Sequence, residues 1–196
     1  EVFLKKQYNA GIQKLIEDSR PGDLVDRFNA KIRTGETINS LNLDKVYIIA
    51  TNASASASEL VINGLAAYID VVHIGSRTVG KFQASVTLHD SPGFGRQSAN
   101  KEHVNAIQPL IFKSANAIGT TDYVTGLEPD ISVREYPSEY KPLGDPDEPL
   151  LAAALASITG KKRSLPGDTP ALKLISESGE ELPTYQRMYV RELPQM

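Results

Sequence analysis

Two short stretches hold residues whose types and order could do chemistry. The first is Ser54-Ala-Ser56-Ala-Ser58-Glu59, directly after the apolar run Val46–Ala50 and directly before a helical pattern. Ser56 at a helix N-cap with Glu59 three residues on is a capping box, in which each side chain satisfies the other residue's backbone N–H. A sharp strand-to-helix turn is also where α/β folds expose nucleophiles, because the N–H groups of the first helical turn and the helix dipole can hold an oxyanion. Residue chemistry alone leaves the choice among the three serines open. The second stretch is Gly75-Ser-Arg-Thr-Val-Gly80-Lys81-Phe82. It fits a phosphate loop as far as Lys81, then fails, since Phe82 stands where a hydroxyl would meet magnesium. Phe82–His89 also reads as strand where that motif needs a helix, which excludes nucleotide binding and leaves Lys81, on its own, a solvated loop lysine.

Other patterns carry less. Ser-x-x-Lys occurs at Ser98–Lys101 and Ser138–Lys141, in Pro/Gly-rich loops and without the Ser-Asp-Asn and Lys-Thr-Gly partners that give the spacing meaning, so both are chance matches. The three histidines have no metal spacing, so neither a metal nor a cofactor is expected. His73, in a buried strand, reads as a satisfied core residue. His89 and His103 flank a polar loop and leave a Ser-His-Asp arrangement, oriented by Asp90 or Asp70, as a minority alternative. The absence of cysteine removes thiol nucleophiles, disulfides and thiolate metal sites.

The elements that must position these residues follow from periodicity. Residues 2–8 read as a short strand, and 17–42 as a polar loop with one or two helical turns near Asp23–Phe28. Val46–Ala50 and Val71–Gly75 are continuous apolar runs, the pattern of strands buried on both faces. Between them Leu60, Val61, Leu65, Tyr68 and Ile69 fall at helical spacing over Ala57–Ile69, with Gly64 implying close packing against another backbone. Strand, helix and strand with tight connections make a βαβ unit, so an α/β fold with a partly parallel sheet is expected. Ala84–His89 alternates like a further strand, 90–103 is a loop, Val104–Ala117 alternates again, and Gly126–Glu135 is a turn into an edge strand. Residues 136–149, with four prolines, form a linker or wrapping loop; Leu150–Ile158 is a helix ended by Gly160. Residues 161–183 read as loop and Thr184–Arg191 as a last strand.

Composition bounds the partners. The chain has 196 residues, and its 40% apolar and 23% charged content is that of an ordinary globular protein. A net charge of −3 argues against nucleic acid or an anionic membrane as the main partner. No apolar run approaches the roughly 18 residues of a membrane helix. The chain opens in mid-pattern at Glu1-Val-Phe-Leu and reads as a piece of something longer.

Together the two stretches say more. The segment VYIIATNASASASELVINGLAAYIDVVHIGSRTVGK resembles the core of the C-terminal processing (tail-specific) proteases, a Ser/Lys-dyad family: a buried strand, Ser-Ala-Ser-Ala-Ser-Glu, a helix, a strand ending in Gly, then Thr-x-Gly-Lys. The match covers about residues 45–90, and Gly126-Leu-Glu-Pro-Asp130 resembles the family's later Gly-x-x-Pro-Asp turn. The resemblance implies a ClpP/crotonase-like spiral α/β core in an incomplete catalytic domain, with residues 1–135 as the core and 136–196 as a C-terminal extension. It implies Ser56 as nucleophile, Lys81 as general base, the Ala57 N–H as one oxyanion donor, and cleavage of polypeptides near apolar C-terminal tails in the bacterial periplasm or envelope, with a homo-oligomer allowed. The chemistry is coherent, since a lysine takes a serine proton only as the free amine, a form that burial favours. Two features depart from the family. The Gly-Gly-rich turn that supplies a second oxyanion N–H is matched only by Tyr8-Asn9-Ala10-Gly11, at a position that better fits the strand after it. The glutamine often four residues past the lysine is Ser85 here, with Gln83 two past, so either is a candidate supporting residue. Alternatives of other classes are a non-catalytic relative that binds extended peptides or scaffolds an assembly, and the histidine-dependent hydrolase.

Overall fold

A computed structural model describes residues 1–160 together with Ile175 and Ser176. The strand expected over 184–191 and the loop over 161–183 lie outside the described residues, apart from those two exposed positions.

Strand β1 (Val2–Gln7) leads into helix α1 (Ala10–Ser19), a 3₁₀ turn (Pro21–Leu24) and the short β2 (Val25–Arg27). Then come β3 (Lys45–Ala50), α2 (Ala57–Leu65) and β4 (Asp70–Gly75), followed by β5 (Gln83–Ser85), β6 (Leu88–His89), β7 (Ala106–Ile107), β8 (Leu110–Ala115), β9 (Ile131–Ser132) and α3 (Pro149–Thr159). The expected βαβ unit is present: β3 and β4 pair in parallel from Lys45 opposite Asp70 to Ala50 opposite Gly75, with α2 as the crossover. β9 adds in parallel on the other side of β4, as an edge strand, and completes the order β3-β4-β9. A second, antiparallel sheet runs β2-β1-β8-β5, and β6 and β7 form a ribbon of their own. The architecture is mixed α/β with one parallel sheet.

The core lies on one face of the parallel sheet. Ile74 of β4 is fully buried with Val133, Leu150, Ala153 and Ala154, and Tyr47, Val72 and Ile131 pack around them. Three of those side chains belong to α3, a helix apolar nearly all round. It is capped at the start by Glu148, whose carboxylate accepts from the Leu150 and Leu151 N–H groups, and at the end by Gly160 in the left-handed conformation, as the sequence predicts. α2 contacts β4 on one side and β1 and β8 on the other, so one helix joins the two sheets. Gly64 makes this joint close: a Cβ there would come within 2.8 Å of the Phe3 ring and 3.4 Å of its carbonyl oxygen.

Four local expectations are corrected. α1 and β2 occupy a region read as loop or left unassigned. α1 buries no residue and leaves Ile12 and Leu15 exposed, although Ile12, Leu15 and Ile16 stand at the i, i+3, i+4 spacing of a helix; Asn9 starts it by accepting the Ile12 N–H at 3.1 Å. Ala84–His89 falls in two strands of different sheets, β5 and β6, parted at Val86 and Thr87, and β5 itself shifts register between Ala84 and Ser85. Val104–Ala117 is likewise broken between β7 and β8, where Pro109 lacks the N–H a continuous ladder requires. Finally, β3 is not buried on both faces: it is the sheet's edge, and Ile49 is exposed.

Gly126 and Gly119 separate two costs of a side chain at positive φ. Their φ angles are +93° and +94°, but a Cβ at Gly126 would overlap the Thr78 carbonyl, whereas Gly119 faces open space. Gly119→Ala should therefore cost about 1 kcal/mol and Gly126→Ala about 3 kcal/mol or more, read from urea unfolding midpoints. Equal losses would mean that the overlap does not matter.

Candidate active site

Ser56 is the N-cap of α2 and has φ 55° and ψ −107°, a conformation that costs a residue with a side chain of order 1–3 kcal/mol. Such strain has to be held in place, and Glu59 does much of the holding. Glu59 is completely buried, and four donors converge on its carboxylate. The Ser56 and Lys81 N–H groups each reach Oε2 at 2.8 Å, while the Gly80 N–H and the Thr78 hydroxyl each reach Oε1 at 2.6 Å. Two amides on one oxygen place the Ser56 and Lys81 nitrogens within 5.6 Å of each other, twice that bond length. The serine turn and the lysine turn are thus one site, joined through a residue that the sequence presents only as a cap.

The other two serines have different surroundings. Ser54 Oγ accepts the Thr51 N–H at 3.0 Å, and Ser54 O accepts the Val79 N–H at 3.0 Å, so Ser54 staples the turn. Ser58 lies exposed in the first turn of α2. Ala57 is the first residue of α2, exposed, and its N–H meets no acceptor among the described residues. Lys81 is half-buried, and its ammonium makes no salt bridge among the described residues. The Gly80 and Lys81 amides are turned onto Glu59, and strand β5 follows the Gly75–Lys81 stretch.

The lysine turn is supported from the Gly126–Asp130 turn, a contribution that residue spacing alone does not reveal. The Leu127 N–H donates to Thr78 Oγ1 at 2.8 Å and the Thr78 N–H to Leu127 O at 3.1 Å. Gly80, at φ +93°, backs onto the Val124 carbonyl and the Gly126 amide so closely that a Cβ would clash with both. Arg77 and Glu128 form a salt bridge alongside. Asp130 accepts the His73 N–H at 2.7 Å and returns its own N–H to His73 O at 2.8 Å. Tyr123 packs its ring at a tilt of 58° against Phe82, with centroids 5.4 Å apart; burial, and then the charge of Glu59, push its phenol up to about 12, so it stays protonated.

The remaining candidates separate from this centre. His73 is a buried strand residue, with Nδ1 3.1 Å from Glu128 O and Nε2 3.2 Å from Ala50 O, and its neutral ring can donate to one of the two carbonyls. His103 Nδ1 lies 3.3 Å from Asp90 Oδ2, and both line a cavity of about 340 Å³ beside the β6–β7 ribbon with His89; Ser56 does not line it. Asp70 is 2.7 Å from Lys45 and orients no histidine. Gln83 lines a separate groove of about 420 Å³ with Gln7, Tyr8 and Asn9, while the Ser85 hydroxyl accepts from Gln108 Nε2 at 3.1 Å. The Tyr8–Gly11 stretch is the turn from β1 into α1, and β1 pairs antiparallel with β2 and β8. No group of three or more metal-ligating side chains occurs among the described residues.

This arrangement can be set beside known proteins. No family model matches the chain, and no curated protein does. Among solved structures, a Bacteroides fragilis NCTC 9343 protein described as an S41 protease superposes with a TM-score of 0.63 at 28% identity, over 83% of this chain. The fold is similar to that of this S41 protease. This chain spans only 38% of the length of that S41 protein. The photosystem II D1 C-terminal processing protease aligns over 53% of this chain and 25% of its own at 19% identity, with a TM-score of 0.35, too slight a likeness to argue from.

If Glu59 holds the serine and lysine turns together, Glu59→Gln should destabilise the protein by about 2–4 kcal/mol, because the new amide sets its own N–H against converging N–H donors. Urea unfolding measures this, and a loss under about 0.5 kcal/mol would show that the four bonds are not supporting the turn.

Proposed function

We propose that this chain carries the nucleophile and base of a serine endopeptidase that cuts polypeptides near their C-terminal tails through a Ser56/Lys81 dyad. The observation that supports this most is the shared Glu59 oxygen, which draws the strained serine and the glycine-flanked lysine turn together. The likeness to an S41 protease supports peptidase chemistry in general.

In this mechanism Lys81 Nζ, as the free amine, accepts the proton of Ser56 Oγ as that oxygen bonds to the scissile carbonyl carbon. The carbonyl oxygen becomes an oxyanion, which the Ala57 N–H stabilises at the positive end of α2. Collapse breaks the C–N bond, and Lys81 returns the proton to the departing amine, leaving an ester on Ser56. A water molecule, deprotonated in turn by Lys81, hydrolyses that ester and regenerates the serine. No metal or cofactor takes part. Gln83 and Ser85, two and four residues past Lys81, are proposed as supporting residues that act from outside the Ser56/Lys81 centre. Residues 1–135 would form the catalytic core and 136–196 an extension that includes α3. The bacterial envelope is the proposed compartment, and polypeptides with apolar tails are the proposed substrates.

Ser56→Ala and Lys81→Ala in the full-length protein should each lower peptidase activity about 10³-fold or more while leaving the fold intact, since the Glu59 bonds use main-chain amides at both positions. A serine-directed phosphonate should label the wild type and not Ser56→Ala. Normal turnover by either variant would sink the dyad, and loss in His103→Ala with Lys81→Ala still active would move the base to histidine.

A further inference from the structure

The parallel sheet ends at a cavity for which the dyad has no use. Open α/β sheets bind ligands in the crevice beyond the carboxyl ends of their strands, and β3, β4 and β9 all end at this one. Asn52 follows β3, Ser76 and Arg77 follow β4, and Ser132 and Arg134 close β9; the space between is about 490 Å³. That is the size of a small-molecule pocket, far larger than a water site. The Asn52 N–H donates to Ser76 Oγ at 2.9 Å and fixes the β3 and β4 ends relative to each other. Neither Ser56 nor Lys81 lines the space.

Its chemistry favours one class of ligand. Two guanidinium groups border it. Arg77 shares the carboxylate of Glu128, whereas Arg134 reaches no carboxylate among the described residues. Hydroxyls of Ser76, Ser132 and Tyr140 supply further donors, and Val133 adds an apolar wall. The one acidic side chain in the lining is Glu135, whose carboxyl is pushed up first by burial and then by the charge of Glu148, which lessens its opposition to an anion. A planar guanidinium matches a carboxylate in a two-bond fork, and hydroxyls complete the set.

We propose that this cavity is a binding site for a small organic carboxylate of about dipeptide size, held by Arg134 and Arg77. The ligand is either a free acid or the carboxylate end of a peptide. The site stands whether or not Ser56 is a nucleophile.

The test is isothermal titration of the Ser56→Ala chain, which excludes turnover, with N-acetyl-Ala-Ala bearing a free carboxylate, with its C-terminal amide, with succinate and with inorganic phosphate. The free-acid dipeptide or succinate should bind, the amide should not, and Arg134→Gln or Arg77→Gln should raise the Kd about tenfold or more, equivalent to about 1.4 kcal/mol. Preference for the dipeptide over succinate marks a peptide end as the source, and the reverse marks a free acid. Arg134→Gln removes no ion pair among the described residues, so lost binding is not lost folding. Absence of binding, equal binding of acid and amide, phosphate as tight as the carboxylates, or an unchanged Kd in both arginine variants would overturn the proposal.

Discussion

The structure depends on a carboxylate that solvent does not reach. A buried charge is tolerated only when its hydrogen bonds are supplied by the protein, and Glu59 receives four, three of them from main-chain amides. Main-chain donors matter because they tie backbone to backbone: the start of α2, the turn after β4 and, through Thr78, the Gly126–Asp130 turn converge on one point. The positive φ of Ser56 and the close-packed glycines 80 and 126 are consequences of that convergence, since three chain segments must approach one carboxylate more closely than side chains permit.

The legible part of the fold is the part with a strong period and a buried face. The runs Val46–Ala50 and Val71–Gly75, the helix between them and the Leu150–Ile158 helix all carry apolar residues into one core, and the sequence declares them. α1 has a short period of its own in Ile12, Leu15 and Ile16, yet it buries none of them and joins no core; its stability rests on the Asn9 cap and on side-chain pairs such as Gln13 with Glu17. The breaks at Val86–Thr87 and Pro109 are equally hard to see, because alternation continues across them while the backbone changes sheets.

For the site, residue types were legible and connections were not. Ser56, Lys81 and the Gly126–Asp130 turn stand out by their neighbours in the chain, and Glu59 reads as a cap. That it also binds the lysine turn is a fact of tertiary structure: Thr78, Gly80 and Lys81 lie 19 to 22 residues further on, and no local pattern encodes their direction. The histidine alternative shows the converse. His103 and Asp90 do meet, yet beside the β6–β7 ribbon, at a cavity that Ser56 does not line.

The bond from Ser56 to Glu59 constrains any chemistry at that serine. Its N–H points inward to a carboxylate oxygen 2.8 Å away and has no hydrogen left to offer a developing alkoxide outside. Enzymes that use the nucleophile's own amide as an anion donor therefore describe a geometry closed to this turn. A negative charge forming at Ser56 would also face a second one buried behind the same peptide unit. The helix end and whatever binds opposite it must outweigh that opposing field, so the catalytic demand falls on the groups that follow the serine and not on the serine's own backbone.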